Sequence, residues 1–174
     1  MFNARCEDAA EKASFRAAMR HRRALVPASG FYEWKREGRG VGQAYFVRPR
    51  GGGIVTFAGL METWLEPGGS EIDTGAILTT AANGRLAGIH PRMPVVIGPR
   101  DFDRWLDCRS NEPRDVADLM QPIDPDFFEA IPVSDRVNKV TNTDPDIQAP
   151  LAPEPHAARP TPVPELPARQ LDLF

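Results

Sequence analysis

The stretch Leu78–Ile97, LTTAANGRLAGIHPRMPVVI, organises the rest of the chain. It predicts the end of a strand at 77–79, a short helical turn at 81–87, a loop with His90 and Arg92, and an apolar strand at 94–97. Pro91 and Pro94 stiffen the loop, because each proline fixes its own φ angle and restricts the preceding residue. An imidazole and a guanidinium in a stiff loop suit a site that binds an anion and moves a proton. The alternative is an ordinary surface loop with two polar residues.

The charge is unevenly distributed, although the 174-residue chain carries a formal net charge of only −3. Residues 1–50 hold eleven Lys and Arg against five Asp and Glu, whereas residues 51–147 hold eight against sixteen. This contrast favours a local anion-binding face over a wholly basic nucleic-acid binder, although ordinary surface asymmetry gives the same counts. The length suffices for one domain with its own core.

The two cysteines do not predict a disulfide framework or a metal site. Cys6 and Cys108 lie far apart and share no ligand spacing with the three histidines, so we expect no metal and no cofactor. No apolar run approaches the ~18 residues that a membrane helix requires, and the first residues lack the apolar centre of a signal peptide. We therefore expect a cytoplasmic protein without a membrane partner.

Short strands joined by tight turns outnumber helices in this sequence, which predicts an antiparallel α+β fold. The expected strands are 31–35, 44–48, 54–64 and 73–80, followed by an apolar segment at 127–133 and a final strand and loop at 135–143. Ser14 is expected to cap a helix with Phe15, Ala18 and Met19 inward, and the basic cluster at 20–23 to be solvated at its end. Further helices begin at Pro99 and Pro113, the first with Phe102, Trp105 and Leu106 on one face.

Glu33 lies in an alternating segment, FYEWK at 31–35. The alternation places Glu33 on the same strand face as Phe31, and Tyr32 and Trp34 on the other. A carboxyl group that is partly buried beside an aromatic ring has a raised pKa unless it is paired, which suits a proton-transfer group. A strand glutamate that faces water is the alternative.

The composition changes after about residue 148. Seven of the last 27 residues are proline, which predicts a disordered, extended linker over 148–169. The chain finishes with QLDLF at 170–174. Apolar residues at the end of such a tail either anchor the chain in a partner's pocket or form a terminus without function.

Five segments, taken in order, resemble the SOS-response-associated peptidase (SRAP) family, which shields abasic sites in single-stranded DNA. They are NAR at 3–5 with EK at 11–12, LVPASGFYEWK at 25–35, FAGLMETW at 57–64, LTTAAN with IHPRMPVVI at 78–97, and PVSDRVNKVTN at 132–142. The resemblance covers residues 1–147 and implies a mainly antiparallel, barrel-like domain with flanking helices. It also implies that this copy of the domain is incomplete at its N-terminus.

The resemblance also implies roles for individual residues. In that family a cysteine at position 2 captures the aldehyde of an abasic site and forms a DNA–protein crosslink. By resemblance, Glu33 and His90 transfer protons during Schiff-base formation, β-elimination and crosslink reversal, and Asn3 hydrogen-bonds in the same pocket. Arg5 and Arg92 would hold the flanking phosphates. These roles agree with the chemistry of the side chains themselves.

Residue 2 departs from the family pattern, because Phe2 stands where the cysteine is expected. Cys6 cannot replace that cysteine, since an internal cysteine has no free α-amine. The α-amine of Met1 is a candidate for Schiff-base formation, because its pKa of about 8 leaves a neutral fraction. Whether the chain is an enzyme is therefore open. The hypotheses are a crosslinking enzyme of the SOS response with lyase or peptidase chemistry, a catalytically degenerate single-stranded DNA-binding module, and, more weakly, an unrelated thiol hydrolase.

The terminal QLDLF resembles the peptide with which bacterial proteins bind the sliding clamp. Four of its residues match that peptide: Gln170, Leu171, Leu173 and Phe174. The resemblance implies that the tail tethers the domain to the sliding clamp and so raises its local concentration at replication forks.

Overall fold

Strands carry most of the regular structure of this protein. The computed structural model describes residues 3–36, 38, 42–66 and 68–151. The strands are β1 (Asn3–Arg5), β2 (Arg23–Ala28), β3 (Phe31–Lys35), β4 (Gln43–Pro49), β5 (Val55–Leu65), β6 (Glu71–Ala81), β7 (Arg92–Pro94) and β8 (Phe128–Pro132). The α-helices are α1 (Cys6–Ala9), α2 (Ala13–His21) and α3 (Phe102–Leu106). Short 3-10 helices cover Pro99–Asp101, Pro113–Met120, Asp135–Asn138 and Pro145–Gln148.

The strands form two sheets. The first has the order β1-β6-β5-β2, with β7 also paired to β6, and the second has the order β3-β4-β8. All strand pairings are antiparallel except that of β1, which runs parallel to β6. The α+β, mainly antiparallel fold predicted from the sequence is confirmed. Within the described residues the two sheets stay open and do not close into one barrel.

The segment that contains β7 is inserted where β5 and β6 diverge. The pairing of β5 with β6 ends at Gly59 and Ile77. Beyond that point the N–H of Val95 donates to Leu78 and the carbonyl of Val95 accepts from Ala58, both at 2.9 Å. The predicted apolar strand at 94–97 is therefore observed as β7 followed by an isolated bridge at Val96. This insertion fixes the loop that carries His90 and Arg92 on the sheet.

Two buried clusters account for most of the core. One packs α2, α3 and the 3-10 helix Pro113–Met120 against the first sheet around the fully buried Trp105. The other lies around Phe57 and Phe128, whose rings Phe31 contacts edge-on at 5.7 and 5.5 Å between centroids. Burial of each such aromatic side chain stabilises the fold by roughly 1.5–3 kcal/mol. Phe15, Ala18 and Met19 of α2 are buried, as predicted.

Three local predictions are wrong. Helix α2 begins at Ala13 with Lys12 as its N-cap, and Ser14 does not cap it. Leu106, which was expected to pack in the core together with Phe102 and Trp105, is the last residue of α3 and is 45% exposed. The segment 135–143 is not a strand, since the Ser134 hydroxyl accepts from the N–H of Arg136 and caps a 3-10 helix.

Arg23 is also not solvated, contrary to the expectation for the basic cluster at the end of α2. The residue is buried, with 5% of its surface exposed. The guanidinium donates to four main-chain carbonyls, those of Met19, Trp105, Asp107 and Asn111, at 2.6–3.1 Å. A buried cation is tolerated when hydrogen bonds satisfy it in this way. Arg23 therefore joins the ends of α2 and α3 to β2.

The described chain follows the fold as far as Leu151. Val133 forms a bridge with Pro150, and the N–H of Leu151 donates to Pro132 at 2.9 Å. Residues 152–169 of the predicted linker and QLDLF at 170–174 lie outside the described residues. In the part of the chain that is described, no helix has the length and apolar character needed to cross a membrane.

Candidate functional site

A cleft of about 360 Å³ lies where β1, β3, β6 and β7 meet. It is lined by all five residues that the sequence singled out for catalysis and DNA binding: Asn3, Arg5, Glu33, His90 and Arg92. Phe31 and Phe57 contribute apolar walls. The cleft thus combines apolar walls with a few converging polar groups, as ligand sites commonly do.

The carboxylate of Glu33 and the imidazole of His90 face each other in this cleft. Glu33 Oε1 lies 3.5 Å from His90 Nδ1, and the two side chains are 25% and 42% exposed. Glu33 reaches this position from the middle of β3, where it pairs in register with Tyr45 of β4. The alternation predicted for FYEWK is confirmed, since Phe31 packs in the cluster around Phe57 while Tyr32 and Trp34 pack in a separate cluster.

Burial raises the pKa of Glu33 above its ordinary value. The loss of hydration is the largest cause, because it penalises the charged carboxylate. His90 and the main-chain N–H of Trp34 act in the opposite direction and keep the shift smaller than burial alone would make it. A carboxyl group in this setting takes up and releases a proton closer to neutral pH than a solvated glutamate does.

The ring of His90 is oriented by the main chain of Arg92. Its Nδ1 lies 3.2 Å from the N–H of Arg92 and 3.0 Å from the Arg92 carbonyl oxygen. Nδ1 accepts from the N–H in one tautomer and donates to the carbonyl in the other. Because Nδ1 is engaged in either case, Nε2 is the ring nitrogen that remains for a ligand.

Asn83 anchors the loop that carries His90. Its side-chain oxygen accepts from the N–H of Leu86, and its amide group donates to the carbonyl of Ile123, both at 3.1 Å. The N–H of His90 then donates to Leu86 at 3.0 Å and closes the helical turn. The turn predicted at 81–87 is present, displaced by about two residues toward His90. Asn83 is 7% exposed, so these bonds are shielded from water.

Arg92 makes a two-pronged ion pair with Glu7 of α1. Arg92 Nη1 lies 2.6 Å from Oε1 of Glu7, and Nη2 lies 2.8 Å from Oε2. Nη2 also donates to the carbonyl oxygen of Thr79. The hydrogen bonds from Arg92 hold the pKa of Glu7 down to about 2, so Glu7 is ionised throughout the physiological range. The guanidinium that the sequence predicted for phosphate binding therefore has a carboxylate partner in this structure.

Asn3 and Arg5 reach the cleft because β1 lies beside β6. The register pairs Asn3 with Ile77 and Arg5 with Thr79. Both side chains are exposed. Arg5 forms no ion pair with any residue that the structure describes, so its charge is available to an anion at the mouth of the cleft.

Comparison with known proteins identifies the family. The model of the family named SOS response associated peptidase (SRAP) matches residues 1–140.

This chain belongs to the SRAP family.

Abasic site processing protein YoqW of Bacillus subtilis (strain 168) is 37% identical over 147 residues, which cover 84% of this chain and 66% of that protein. Abasic site processing protein HMCES of Gallus gallus is 31% identical, with 86% of this chain and 50% of that protein covered. A crystal structure of a protein from Bacteroides thetaiotaomicron has a TM-score of 0.79 at 30% identity, covering 86% of this chain and 66% of that one. This SRAP chain thus spans between half and two thirds of the length of these relatives.

Sequence reasoning missed three residues that position the site in this SRAP chain: Glu7, Thr79 and Asn83. Asn83 lies in the quoted LTTAAN segment, where a buried asparagine beside a turn is a recognisable signal. Glu7 and Arg92 are 85 positions apart, and no local periodicity connects them.

Cys6 is a poor nucleophile for this SRAP site. Its thiol is half-buried beside β6, with Sγ 3.8 Å from the carbonyl of Met120. Burial raises the pKa of the Cys6 thiol, which disfavours the reactive thiolate. Among the described residues no group of three or more potential metal ligands comes together.

Proposed function

We propose that this SRAP chain binds abasic sites in single-stranded DNA and performs proton transfers on the opened sugar. The observation that carries the proposal is the pairing of Glu33 with His90, 3.5 Å apart, in a cleft that also holds Asn3 and Arg5. Relatives at 31–37% identity are named abasic site processing proteins. The setting that we propose is the DNA damage (SOS) response.

Binding would use the exposed Arg5 for a phosphate that flanks the missing base. Arginine forms charge-assisted hydrogen bonds with phosphate oxygens. The sugar would then enter the cleft of about 360 Å³, with Asn3 as a hydrogen-bonding group at its edge. A nucleotide that keeps its base is bulkier than a bare sugar, so a small cleft favours the abasic site.

The chemistry begins with an amine that attacks C1′ of the ring-opened sugar. Loss of water from the adduct gives a Schiff base, and His90 or the carboxyl group of Glu33 supplies the proton that the departing hydroxyl requires. The other group of the pair then removes a proton from C2′. The electrons of that C–H bond form a C=C bond while the C3′–O bond breaks and the 3′ phosphate departs. General acid–base catalysis of this kind contributes typically 10²–10⁴-fold.

The group that supplies the attacking amine is the open question of this mechanism. A thiazolidine crosslink needs an amine and a thiol on one residue, and Phe2 has no thiol. In a chain that starts at Met1, its α-amine is the candidate, because two residues span at most about 7 Å and Asn3 lines the cleft. The covalent product would then be a reversible Schiff base.

The test compares two single-stranded oligonucleotides of one sequence, with and without a single abasic site. We expect tighter binding to the abasic strand and a borohydride-trapped band with that strand alone. Acetylation of the α-amine should remove the band and leave binding unchanged. Equal affinity for both strands, without trapping, would refute the proposal.

The second candidate is a binding module without catalysis, and the half-buried Cys6 thiol favours it, because burial raises the pKa of that thiol and makes it a poor nucleophile. This alternative predicts that the chain prefers the abasic strand but gives no trapped band and no strand scission. The two candidates therefore differ only in the covalent step.

We further propose that the tail binds the bacterial sliding clamp through Gln170, Leu171, Leu173 and Phe174. The support is the match of QLDLF to the clamp-binding peptide at the end of a proline-rich stretch. A peptide of residues 165–174 should bind the clamp, and replacement of both Leu173 and Phe174 by alanine should abolish binding. Replacement of Glu165 and Pro167 by alanine is the matched control and should have no effect. Equal clamp binding by the Leu173 and Phe174 double variant would exclude this role.

A further inference from the structure

The phosphate-binding groups of Arg92 are already occupied in this protein. Nη1 and Nη2 contact the two carboxylate oxygens of Glu7 at 2.6 and 2.8 Å, and Nη2 also donates to Thr79. The Nε atom is buried and has no hydrogen-bond partner among the described residues. Arg92 is therefore not a free cation that waits for a ligand.

The carboxylate of Glu7 occupies Arg92 in the way that a phosphate would. Two parallel N–H···O bonds from one guanidinium are the geometry by which arginine binds both carboxylates and phosphates. A phosphodiester and Glu7 cannot both take that paired position on the same guanidinium. Since the charge of Glu7 persists across the physiological pH range, protonation of Glu7 does not release Arg92, whereas an anion that binds Arg92 would displace Glu7.

Glu7 is able to give way without disrupting the core. Its side chain is 49% exposed and belongs to the four-residue helix α1, whereas the Arg92 side chain is 20% exposed. The carbonyl oxygen of Thr79 holds Arg92 from the β6 side, so the guanidinium stays at the cleft when the carboxylate leaves. Glu7 is thus the more exposed member of the pair and the one that a ligand can displace.

We propose that Glu7 is a built-in competitor for the phosphate that Arg92 binds, and that it sets the affinity of the cleft for a flanking phosphodiester. This inference rests on the proposed function, because the competing phosphate that we assign to Arg92 belongs to the bound DNA. Glu7 is a positioning residue, since it acts through Arg92 and not on the sugar. Its effect is to weaken binding to phosphates in general and so to leave discrimination to the abasic sugar.

The first test uses inorganic phosphate as the probe and needs no DNA. Thermal unfolding is measured for the full chain at constant ionic strength while phosphate replaces chloride. Glu7→Gln should lower the melting temperature without phosphate, and phosphate should raise it more than in the wild type, because a bound anion stabilises the folded state by mass action. Glu11→Gln makes the same charge change on an exposed residue and should respond to phosphate as the wild type does. An equal response of both variants would overturn the inference, because a purely structural role of Glu7 does not create phosphate dependence.

The second test measures the affinity for undamaged and abasic single strands. Glu7→Gln should bind both strands about two- to fivefold more tightly than Glu11→Gln, as expected for release of one partly exposed ion pair. Glu7→Asp, which retains the charge but shortens the side chain, should lie between them. In an Arg92→Gln background, Glu7→Gln should have no larger effect than Glu11→Gln. Weaker binding by Glu7→Gln would overturn the inference.

The two tests separate this inference from the proposed function. Tighter binding of both strands by Glu7→Gln, without any preference for the abasic strand, supports the role of Glu7 and refutes the proposed function. A clear preference for the abasic strand without an effect of Glu7→Gln supports the proposed function and refutes the role of Glu7. Absence of DNA binding in every variant contradicts both.

Discussion

The guanidinium of Arg23 lies 5.5 Å from the centre of the Trp105 ring, and its Nε donates to the Trp105 carbonyl oxygen at 2.6 Å. The same guanidinium also reaches carbonyls at the end of α2 and beyond α3. Carbonyls at a helix C-terminus lack partners within the helix and carry partial negative charge. The buried guanidinium of Arg23 therefore supplies hydrogen bonds to main-chain carbonyls near the ends of α2 and α3. Without it, these carbonyls would face the apolar core without a partner.

We predict that Arg23→Lys destabilises the protein by about 3 kcal/mol or more, because an ammonium group cannot reach four carbonyls and leaves several buried acceptors unpaired. Chemical unfolding of the variant measures this loss. Arg16→Lys is the control, since Arg16 is an exposed residue of α2. A loss no greater than that of the control would contradict the structural role of Arg23.

Glu33→Gln is predicted to stabilise the protein at neutral pH. The folded-state pKa of Glu33 is raised, so the folded protein binds this proton more tightly than the unfolded chain does. The wild type therefore loses stability as the pH rises from the ordinary glutamate value of 4.5 through the raised one. The melting temperature of Glu33→Gln should exceed that of the wild type at pH 7, and the difference should vanish below pH 4.5.

The matched control for this comparison is Glu71→Gln, which changes an exposed glutamate of β6. Its melting temperature should follow that of the wild type at every pH. If Glu33→Gln had the same melting temperature as the wild type at pH 7, the Glu33 carboxyl group would not be buried as the structure describes.

Asn83→Ala should loosen the loop that carries His90. We expect a loss of about 1–3 kcal/mol in the free energy of unfolding, since two buried hydrogen bonds are lost and their partners remain. Scission of abasic DNA should fall as well, because His90 is no longer held opposite Glu33. Asn111→Ala removes a single bond to the carbonyl of Arg104, outside the cleft, and should leave scission unchanged. Unchanged scission in both variants would show that Asn83 does not position the site.

Arg5→Gln is expected to weaken single-stranded DNA binding and to reduce its dependence on salt. Each phosphate contact on a single strand contributes about −0.7 to the slope of log K against log salt. The slope for Arg5→Gln should therefore be smaller in magnitude by about 0.7 than the slope for the control Arg16→Gln. Identical slopes for the two variants would place the phosphates elsewhere.

Local sequence patterns predicted the individual strands and helices of this fold better than they predicted which of these elements pair with each other. The alternation of FYEWK and the apolar face of α2 follow from contacts within one strand or helix, and both are confirmed. The three residues of β1 are too few to show any period, so its parallel pairing with β6 was not predictable. The alternating valines at 135–143 suggested a strand, but the cap at Ser134 and the 94% exposed Val140 show that local hydrogen bonding decided otherwise.

The residues that the sequence singled out line one cleft, whereas the contacts among them were not predicted. The motifs that resemble the SRAP family singled out Glu33, His90 and Arg92, and the structure places them in one cleft. The same motifs do not show that Glu7 occupies Arg92. Nor did the sequence show that Arg23 is buried, because a basic cluster at a helix end is usually solvated. Such contacts depend on which distant elements pack together, and a local sequence pattern does not predict that packing.

Strand scission at a single abasic site tests the central claim most directly. The rate is measured with the protein in excess over DNA for the wild type, Glu33→Gln, His90→Ala and the control Glu71→Gln. The account predicts scission by the wild type well above the rate in buffer, a loss of about 10²-fold or more in Glu33→Gln and in His90→Ala, and no loss in the control. Scission at the wild-type rate in both cleft variants would contradict it.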